Sequence, residues 1–323
     1  MFEKLTNSFS LEKQDFHDIG LSDIGVYSEF IKATEYPANL WSSNFAYLWA
    51  SSQSNLRRVL WKIIDAMLVT FGLSYKNTLY LFCLPFGKGG PEEVVDVTHK
   101  CLRYCYEWNQ AGKDRTLVRM INHNQLEFLK KSPRFNDLFR LVTLEGIERH
   151  LEIKKVVSLP GKDFGTIRNK VNKFQRENPD TVIRRFLKED YGQVMELGKR
   201  WRKIAGRKYA NIFDKVYFRE MVKHNDELDQ TILVAANGDR IIGMVAGGEL
   251  PTGQAWGSLL KYESGIAGLS ETLSVEFARE LNRINPGLSL MNVGSDLRAG
   301  GLREYKLKFR PVLNLKRYQV FLK

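Results

Sequence analysis

The stretch TILVAANGDRIIGMVAGGEL, residues 231–250, decides the fold of the second half of the chain. Two apolar runs, 231–236 and 240–250, flank Asn237-Gly238-Asp239. An Asn-Gly pair between apolar runs is a strong signal of a tight turn between two antiparallel strands. The stretch therefore predicts two adjacent strands, around which the neighbouring elements can be placed.

The elements on either side of this hairpin alternate in a definite order. Upstream we predict a strand over 181–187 and helices over 189–205 and 213–228; apolar Val194, Leu197 and Trp201 have helical spacing in the first helix. Downstream we predict a strand (255–261), a helix (269–284), a strand (288–293), a short helix (299–308) and a last strand (311–322). The order β-α-α-β-β-β-α-β-α-β matches that of the GCN5-related N-acetyltransferase (GNAT) fold.

The first half repeats part of this series. A strand over 79–85, a helix over 91–110, a strand over 115–121, a short helix over 124–131 and a strand over 139–144 are predicted. The fold class predicted is α/β (α+β), with two tandem GNAT-like domains, each a central mixed sheet flanked by helices. The predicted limits are 1–157 for the N-terminal domain, 158–178 for a basic bridging helix and 179–323 for the C-terminal domain.

Length and composition agree with two globular domains. The chain has 323 residues, of which 43% are hydrophobic, and only three Cys, which favours a reducing cytosol over a disulfide framework. Neither a signal peptide nor an uninterrupted apolar span is expected, since polar residues 75–78 break the most apolar stretch. The predicted location is cytoplasmic, with a peripheral position at the inner membrane face as the alternative.

Positive charge is concentrated in the second half. Residues 161–323 contain 29 Lys and Arg against 19 Asp and Glu, whereas residues 1–160 contain 20 against 18. This imbalance indicates an anionic partner: nucleic acid, anionic lipid or a phosphorylated cofactor. The residues predicted to bind the phosphates of nucleic acid or lipid lie on the basic bridging helix: Lys162, Arg168, Lys170, Lys173 and Arg176.

The turn before the helix at 269 is a candidate anion site. In acetyltransferases of the GNAT fold, an Arg/Gln-x-x-Gly-x-Gly/Ala turn and the following helix N-terminus bind a pyrophosphate. Gly265 and Ala267 fit this pattern, but Tyr262 stands where Arg or Gln is expected. Coenzyme A binding and an ordinary strand-to-helix turn both remain open.

A second candidate site follows the strand at 288–293. Arg303 and Lys306 are three residues apart on one helix face, and Asp296 precedes them closely enough to orient Arg303. Such a pair can hold a phosphate or stabilise an oxyanion, although a solvated basic helix end gives the same pattern. Glu249 and Glu263 are the candidates for a general base. No metal site is predicted, because the five His are scattered.

The chain resembles the C-terminal catalytic domain of the lysylphosphatidylglycerol synthases (phosphatidylglycerol lysyltransferases) and their relatives. The resemblance rests on short segments in consistent order between residues 36 and 311. They are Tyr36-Pro37, Asn44–Trp49 (NFAYLW), Leu84–Gly87 (LPFG), Leu159–Lys162 (LPGK), Arg168–Phe174 (RNKVNKF), Lys261 with Gly265, Asn292 with Asp296, Gly301–Arg303 (GLR) and Lys306–Pro311 (KLKFRP).

The resemblance implies tandem GNAT domains and transfer of an amino acid from aminoacyl-tRNA to the glycerol hydroxyl of phosphatidylglycerol. Aminoacyl-tRNA is then the donor and anionic phospholipid at the membrane surface a partner, with no bound cofactor. On this reading we expect the catalytic residues to be Asp296, Arg303 and Lys306, and the substrate-binding residues to be Lys261, Glu263, Gly265, Glu249 and Asn292.

This sequence departs from the family pattern at three points. Arg298 replaces the Gly of an Asp-x-Gly pattern, and Glu152–Lys155 (EIKK) replace an acidic-aromatic strand. The family's full-length enzymes also carry an N-terminal membrane domain, which is not expected in this sequence. The alternatives are an acyl-coenzyme A-dependent N-acyltransferase and a non-enzymatic module that binds RNA or an anionic membrane.

Overall fold

The computed structural model describes residues 15–208 and 215–323, which form two compact units. Unit 1 holds the described residues up to Glu145 together with Leu315–Lys323, and unit 2 is Gly146–Asn314. The limits predicted for the domains, 1–157, 158–178 and 179–323, stay a prediction. Part of the predicted helix over 213–228 lies outside the described residues.

Unit 2 is built on a mixed sheet that contains the predicted hairpin. Its strands follow the order β6-β11-β10-β9-β8-β7, in which only the pair β10–β11 is parallel. The strands are β6 (Phe139–Glu152, which begins in unit 1), β7 (Thr181–Arg185), β8 (Gln230–Asn237), β9 (Arg240–Glu249), β10 (Ala255–Tyr262) and β11 (Leu290–Ser295). The helices are α6 (Ile153–Ser158), α7 (Gly165–Glu177), α8 (Tyr191–Lys208), α9 (Lys215–Lys223), α10 (Leu269–Ile284) and α11 (Gly300–Lys308).

The two faces of this sheet pack against different helices. On β10, Leu260 and Tyr262 join the apolar core with α10 and α7, whereas Lys261 between them lies over Trp201 of α8. Successive side chains of a strand point to opposite faces, so α10 and α8 cover opposite faces of the sheet. Trp256 also faces the α8 side, because its ring contacts Tyr217 of α9.

The parallel strands β10 and β11 pair only over a short distance. The aligned residues are Ala255 with Met291 and Trp256 with Asn292. Beyond them, a register shift between Gly257 and Leu259 bends β10 relative to β9. Side chains at the end of this pairing therefore border the place where the two strands separate.

Unit 1 has a sheet with the strand order β1-β2-β3-β4-β5-β12, again with one parallel pair, β4–β5. Its strands are β1 (His17–Asp18), β2 (Arg57–Ile64), β3 (Met67–Ser74), β4 (Leu79–Leu81), β5 (Leu117–Asn122) and β12 (Leu313–Leu322). Its helices are α1 (Ile24–Ala33), α2 (Phe45–Ser52), α3 (Pro91–Trp108), α4 (His123–Leu129) and α5 (Phe135–Leu138).

The element order predicted for the second half is found in the structure, and α10 has the predicted limits. The basic helix is shorter than the predicted 158–178, because Ser158 ends α6 and Leu159 and Gly161 adopt left-handed backbone conformations. The helix α7 begins only at Gly165 and buries Ile167, Val171 and Phe174.

The described residues contain neither a membrane-spanning helix nor a cluster of metal ligands. Within 15–208 and 215–323, no helix combines the length and hydropathy needed to cross a lipid bilayer. The same ranges contain no group of three or more His, Cys, Asp or Glu side chains arranged to hold a metal ion.

Candidate functional site

Three side chains form a buried row across unit 2 where β10 and β11 begin to separate. His150 of β6 is aligned with Asn292 of β11, and Asn292 is aligned with Trp256 of β10. Aligned residues share a face of the sheet, so all three lie on the α8 side. Their side chains are almost completely buried.

Glu148 adds a carboxylate to this row. It lies two residues before His150 on β6 and therefore on the same face. Asn292 Nδ2 donates a hydrogen bond to Glu148 Oε1 over 2.5 Å, and His150 Nε2 lies 4.0 Å from the same oxygen. The Oδ1 of Asn292 accepts from the backbone N–H of Gly294 over 2.8 Å, which fixes the orientation of the amide.

His150 is the least satisfied polar group in the row. Neither ring nitrogen has a hydrogen-bond partner within the described residues, and the side chain is 0% exposed. Burial lowers the pKa of His150 to about 4 despite the carboxylate 4.0 Å away. At neutral pH the imidazole is thus uncharged and able to accept a proton.

Lys261 brings a buried positive charge to the same face of the sheet. It is 3% exposed, and its Nζ lies 3.3 Å from the centre of the Trp201 ring. Phe218 of α9 is also within reach, at 6.0 Å. A cation over aromatic faces is stabilised by the ring quadrupoles, which offsets part of the cost of removing it from water.

Asp296 is buried just after β11 and contacts Arg149, whereas the sequence suggested Arg303 as its partner. Arg149 Nη2 lies 2.8 Å from Asp296 Oδ2, and the backbone N–H groups of Ile147 and Arg298 donate to Oδ1. Burial by itself raises the pKa of Asp296, but these hydrogen bonds outweigh it and hold the pKa below its ordinary value. Asp296 is therefore an ionised anchor between β6 and the end of β11.

Lys306 and Arg303 have different surroundings although both lie on α11. The ammonium of Lys306 is buried and donates to the carbonyls of Val293, Gly294 and Ser295 over 2.6, 3.0 and 2.8 Å. Those contacts hold the end of β11 in place. Arg303 is exposed, so a phosphate in solution can reach its guanidinium.

The N-terminus of α10 is filled by groups of the chain itself. The Glu271 carboxylate, 2% exposed in the first turn, accepts from Lys170 over 2.7 Å, Lys308 over 3.3 Å and Ser270 over 2.9 Å. Burial raises the pKa of Glu271, yet these hydrogen bonds hold it below the ordinary value. At Gly268 a side chain has no room, because a Cβ there would lie 2.1 Å from the backbone oxygen of Lys170.

Three other predicted residues lie at the ends of α10. Gly265 is exposed, with a left-handed backbone and no atom within 4 Å of where its Cβ would be. Glu263 contacts Arg200 over 2.9 Å and Arg240 over 2.8 Å. Glu249 is exposed and accepts from Asn285 beyond the other end of α10, so the structure does not bring it together with Glu263 and Gly265.

The predicted phosphate-binding residues divide into two groups. Arg168 donates to the carbonyls of Leu159 and Gly161, and Lys170 contacts Glu271, so both have partners within the chain. The other three are exposed: Lys162, Lys173 and Arg176. Of these, Lys173 lies 3.8 Å from Glu177.

Sequence reasoning did not single out the tripeptide Glu148-Arg149-His150, which supplies three buried polar groups. The signal that could have found it is three consecutive ionisable residues inside a strand. Such residues are rarely buried without a partner or a role. The strand predicted over 139–144 ends before Glu148, so these three residues stand outside the predicted strands.

Comparison with known proteins identifies the family. The profile described as "Phosphatidylglycerol lysyltransferase, C-terminal" matches residues 41–321. The chain belongs to this family. A comparison with curated proteins gave no match.

Solved structures agree with the family in fold. A conserved protein of unknown function from Bacteroides thetaiotaomicron VPI-5482 superposes with a TM-score of 0.76 at 20% identity, covering 96% of this chain and 99% of that one. L-PGS from Bacillus licheniformis gives 0.64 at 15% identity over 94% and 92%. A tandem GNAT protein of the clavulanic acid pathway gives 0.53 at 10% identity over 95% and 98%. The predicted tandem GNAT-like α/β fold is confirmed, and the family and fold make this chain a transferase of the acyltransferase type.

Proposed function

We propose that this chain transfers an aminoacyl group from aminoacyl-tRNA to an acceptor hydroxyl or amine, using unit 2 as its reaction site. The family name specifies lysine as the group and phosphatidylglycerol as the acceptor. We take phosphatidylglycerol as the first acceptor to test, with other hydroxyls and amines beside it. No bound cofactor is part of the proposal.

Aminoacyl-tRNA is preferred as the donor because the Glu271 carboxylate occupies the N-terminus of α10. A coenzyme A pyrophosphate would need the backbone N–H groups of this turn and the positive end of the helix dipole. Glu271 already places a carboxylate there, and the backbone of α7 packs against Gly268. A pyrophosphate would have to compete with the Glu271 carboxylate for Lys170 and Lys308, so an acyl-coenzyme A donor is disfavoured relative to aminoacyl-tRNA.

We assign the charged residues of unit 2 different parts in the transfer. Lys261 is the buried cation proposed to face the ester carbonyl of the donor, where a positive charge stabilises a developing oxyanion. Asp296 and Lys306 act as positioning residues, since one anchors β6 and the other holds the end of β11. Arg303 and the exposed cations of α7 are proposed contacts for phosphates of the donor or of a lipid headgroup.

The test is a transfer assay with the full chain. Pools of charged tRNA are incubated with phosphatidylglycerol vesicles or with small hydroxyl and amine acceptors, and the products are read by mass spectrometry. We expect an acceptor that gains the mass of one aminoacyl residue. Tight, saturable coenzyme A binding in calorimetry, without any aminoacyl product, would replace this proposal with acyl-coenzyme A chemistry. Binding of RNA or vesicles without turnover would instead support a non-enzymatic binding module.

Arg303→Ala is the matched variant for this assay. Its side chain is exposed, so its loss removes a phosphate contact and leaves the core unchanged. We expect a reduced transfer rate with an unaltered melting temperature. Wild-type turnover in Arg303→Ala would remove this residue from the site.

A further inference from the structure

His150 is a buried ionisable group that the roles assigned above leave unused. Within the described residues its two ring nitrogens have no hydrogen-bond partner, although the side chain is completely buried. An imidazole in that condition gives up its hydrogen bonds to water without replacement, which costs stability. A buried polar group without a partner calls for an explanation, and a catalytic role is one of those available.

The position of His150 relates it to the reaction site. It is aligned with Asn292, the last residue of β11 that pairs with β10, and faces the α8 side on which Lys261 lies. It therefore lies on the strand next to Asn292, one strand away from the place where β10 and β11 separate. Burial keeps the ring uncharged at neutral pH, so a lone pair is available there.

Glu148 supplies the second member of a base–carboxylate pair. Its Oε1 lies 4.0 Å from His150 Nε2, and its orientation is fixed by the hydrogen bond from Asn292. A carboxylate on this side favours the tautomer with the proton on Nε2, which leaves Nδ1 to accept. It also stabilises the imidazolium that forms when Nδ1 takes a proton.

We propose that His150 is the general base of the transfer reaction, with Glu148 as its positioning residue. The inference rests on the proposed function. The acceptor hydroxyl oxygen attacks the ester carbonyl carbon while its proton passes to His150 Nδ1. The bond from that carbon to the ribose oxygen of the donor then breaks, and the ribose oxygen takes the proton from the imidazolium. No oxidant, metal or further reactant is required.

The first experiment measures single-turnover transfer for the wild-type chain, His150→Gln and His224→Gln. Gln keeps a polar side chain of similar size but cannot take up the proton. We therefore expect the rate to fall by at least about 100-fold, within the range of general base catalysis. Affinity for the charged tRNA should change less than about 2-fold, because the base acts in the chemical step. His224 lies in the same unit with carboxylate neighbours, and its variant should retain the wild-type rate.

Two further readouts separate catalysis from a structural role. The wild-type rate should fall at acid pH as His150 becomes protonated, and this limb should disappear in His150→Gln. Added imidazole should restore part of the rate in His150→Gly. A folded His150→Gln protein with wild-type rate and pH profile would overturn the inference while leaving the proposed function intact.

A further measurement does not depend on turnover and applies if the wild-type chain shows no transfer. If the wild-type chain transfers no aminoacyl group, the proposed function fails. The His150 inference is then judged by nitrogen-15 spectra of histidine-labelled protein. The probe is puromycin, in which an amide replaces the ester of the tRNA 3′ end. We expect one unprotonated His150 nitrogen whose signal shifts with puromycin; an unchanged signal would overturn the inference.

Discussion

Units 1 and 2 each contain a parallel strand pair with an antiparallel neighbour, but the residues aligned across those strands differ in polarity. In unit 1 the aligned residues are Leu81, Val118 and Val320, all fully buried and apolar. In unit 2 one such row is Trp256, Asn292 and His150, two of them polar. The same local arrangement of strands can thus close an apolar core or hold polar groups out of water.

The contrast extends to charged side chains. Among the side chains that the structure describes, Arg317 is the buried charged residue of unit 1. Unit 2 buries Glu148, Arg149, Asp190, Glu220, Lys261, Glu271, Asp296 and Lys306. Burying charge costs free energy unless each group is paired, so unit 2 retains an arrangement that packing alone would not favour. This difference is why we place the chemistry in unit 2.

The largest expected effect comes from breaking the buried ion pair of unit 2. Asp296→Ala leaves Arg149 buried without its carboxylate, which should lower the free energy of unfolding by about 3–5 kcal/mol. The matched control is Asp18→Ala in unit 1, whose pair with Arg58 is exposed and worth less than about 1 kcal/mol. Urea denaturation measures both, and equal losses would contradict the contrast between the units.

The second prediction concerns the stability of unit 2 against pH. The pKa of His150 is about 4 in the folded chain against an ordinary value of 6.5, so the unfolded chain binds more protons between these limits. The contribution of His150 to the free energy of unfolding is therefore fully present above pH 6.5. It is lost as the pH falls towards 4, by about 3 kcal/mol in all.

Denaturation midpoints measured across this pH range should show that loss in the wild-type chain, and His150→Gln should lack it. Carboxylates titrate in the same range in both proteins, so the difference between them isolates His150. Parallel curves for the two proteins would show that His150 is not held in its uncharged form.

A smaller effect should separate two residues of one helix. Lys306→Met removes the donor to three successive carbonyls and should cost about 2 kcal/mol, because buried acceptors lose their partner. Arg303→Ala, on the exposed side of α11, should stay within about 0.5 kcal/mol. Thermal unfolding of both variants tests this, and a similar cost for each would mean that Lys306 does not hold the end of β11.

The smallest expected effect is on donor binding by α7. Lys173→Ala with Arg176→Ala removes two exposed cations, so tRNA affinity should fall several-fold. The slope of log affinity against log salt should shrink by about 0.7–0.9 per lost phosphate contact. Lys130→Ala with Lys131→Ala removes the same charge from unit 1 and should leave the salt slope unchanged. Equal losses in both double variants would indicate attraction by net charge alone.

Local chemistry explains which parts of the fold could be predicted from the sequence. The Asn237-Gly238 turn and the Asn285-Pro286-Gly287 end of α10 are encoded in adjacent residues, and both were found. The hairpin of β2 and β3 was not predicted. Its turn uses Asp65 and Ala66 at φ values of 49° and 61°, and Ala gives no signal for a left-handed backbone.

The sequence named several of the polar residues that the structure buries in unit 2, but not their contacts. Asn292, Asp296, Lys306 and Lys261 were named from the sequence, and all are buried in unit 2. The partner of Asp296 was not, because Arg149 is 147 positions away and is brought near only when β6 pairs with β11. Spacing along a helix can suggest neighbours three or four residues apart, but strand pairing joins residues without any fixed separation.

The strand β12 has a consequence for the order in which the chain folds during synthesis. It completes the sheet of unit 1 by pairing with β5, yet it is translated after every residue of unit 2. Domains usually fold as units from the N-terminus as they leave the ribosome. Here all residues of unit 2 are synthesised before unit 1 is complete. The edge of β5 stays unpaired until the ribosome has passed residue 314. The half of the chain that is synthesised first is then the last to complete its sheet.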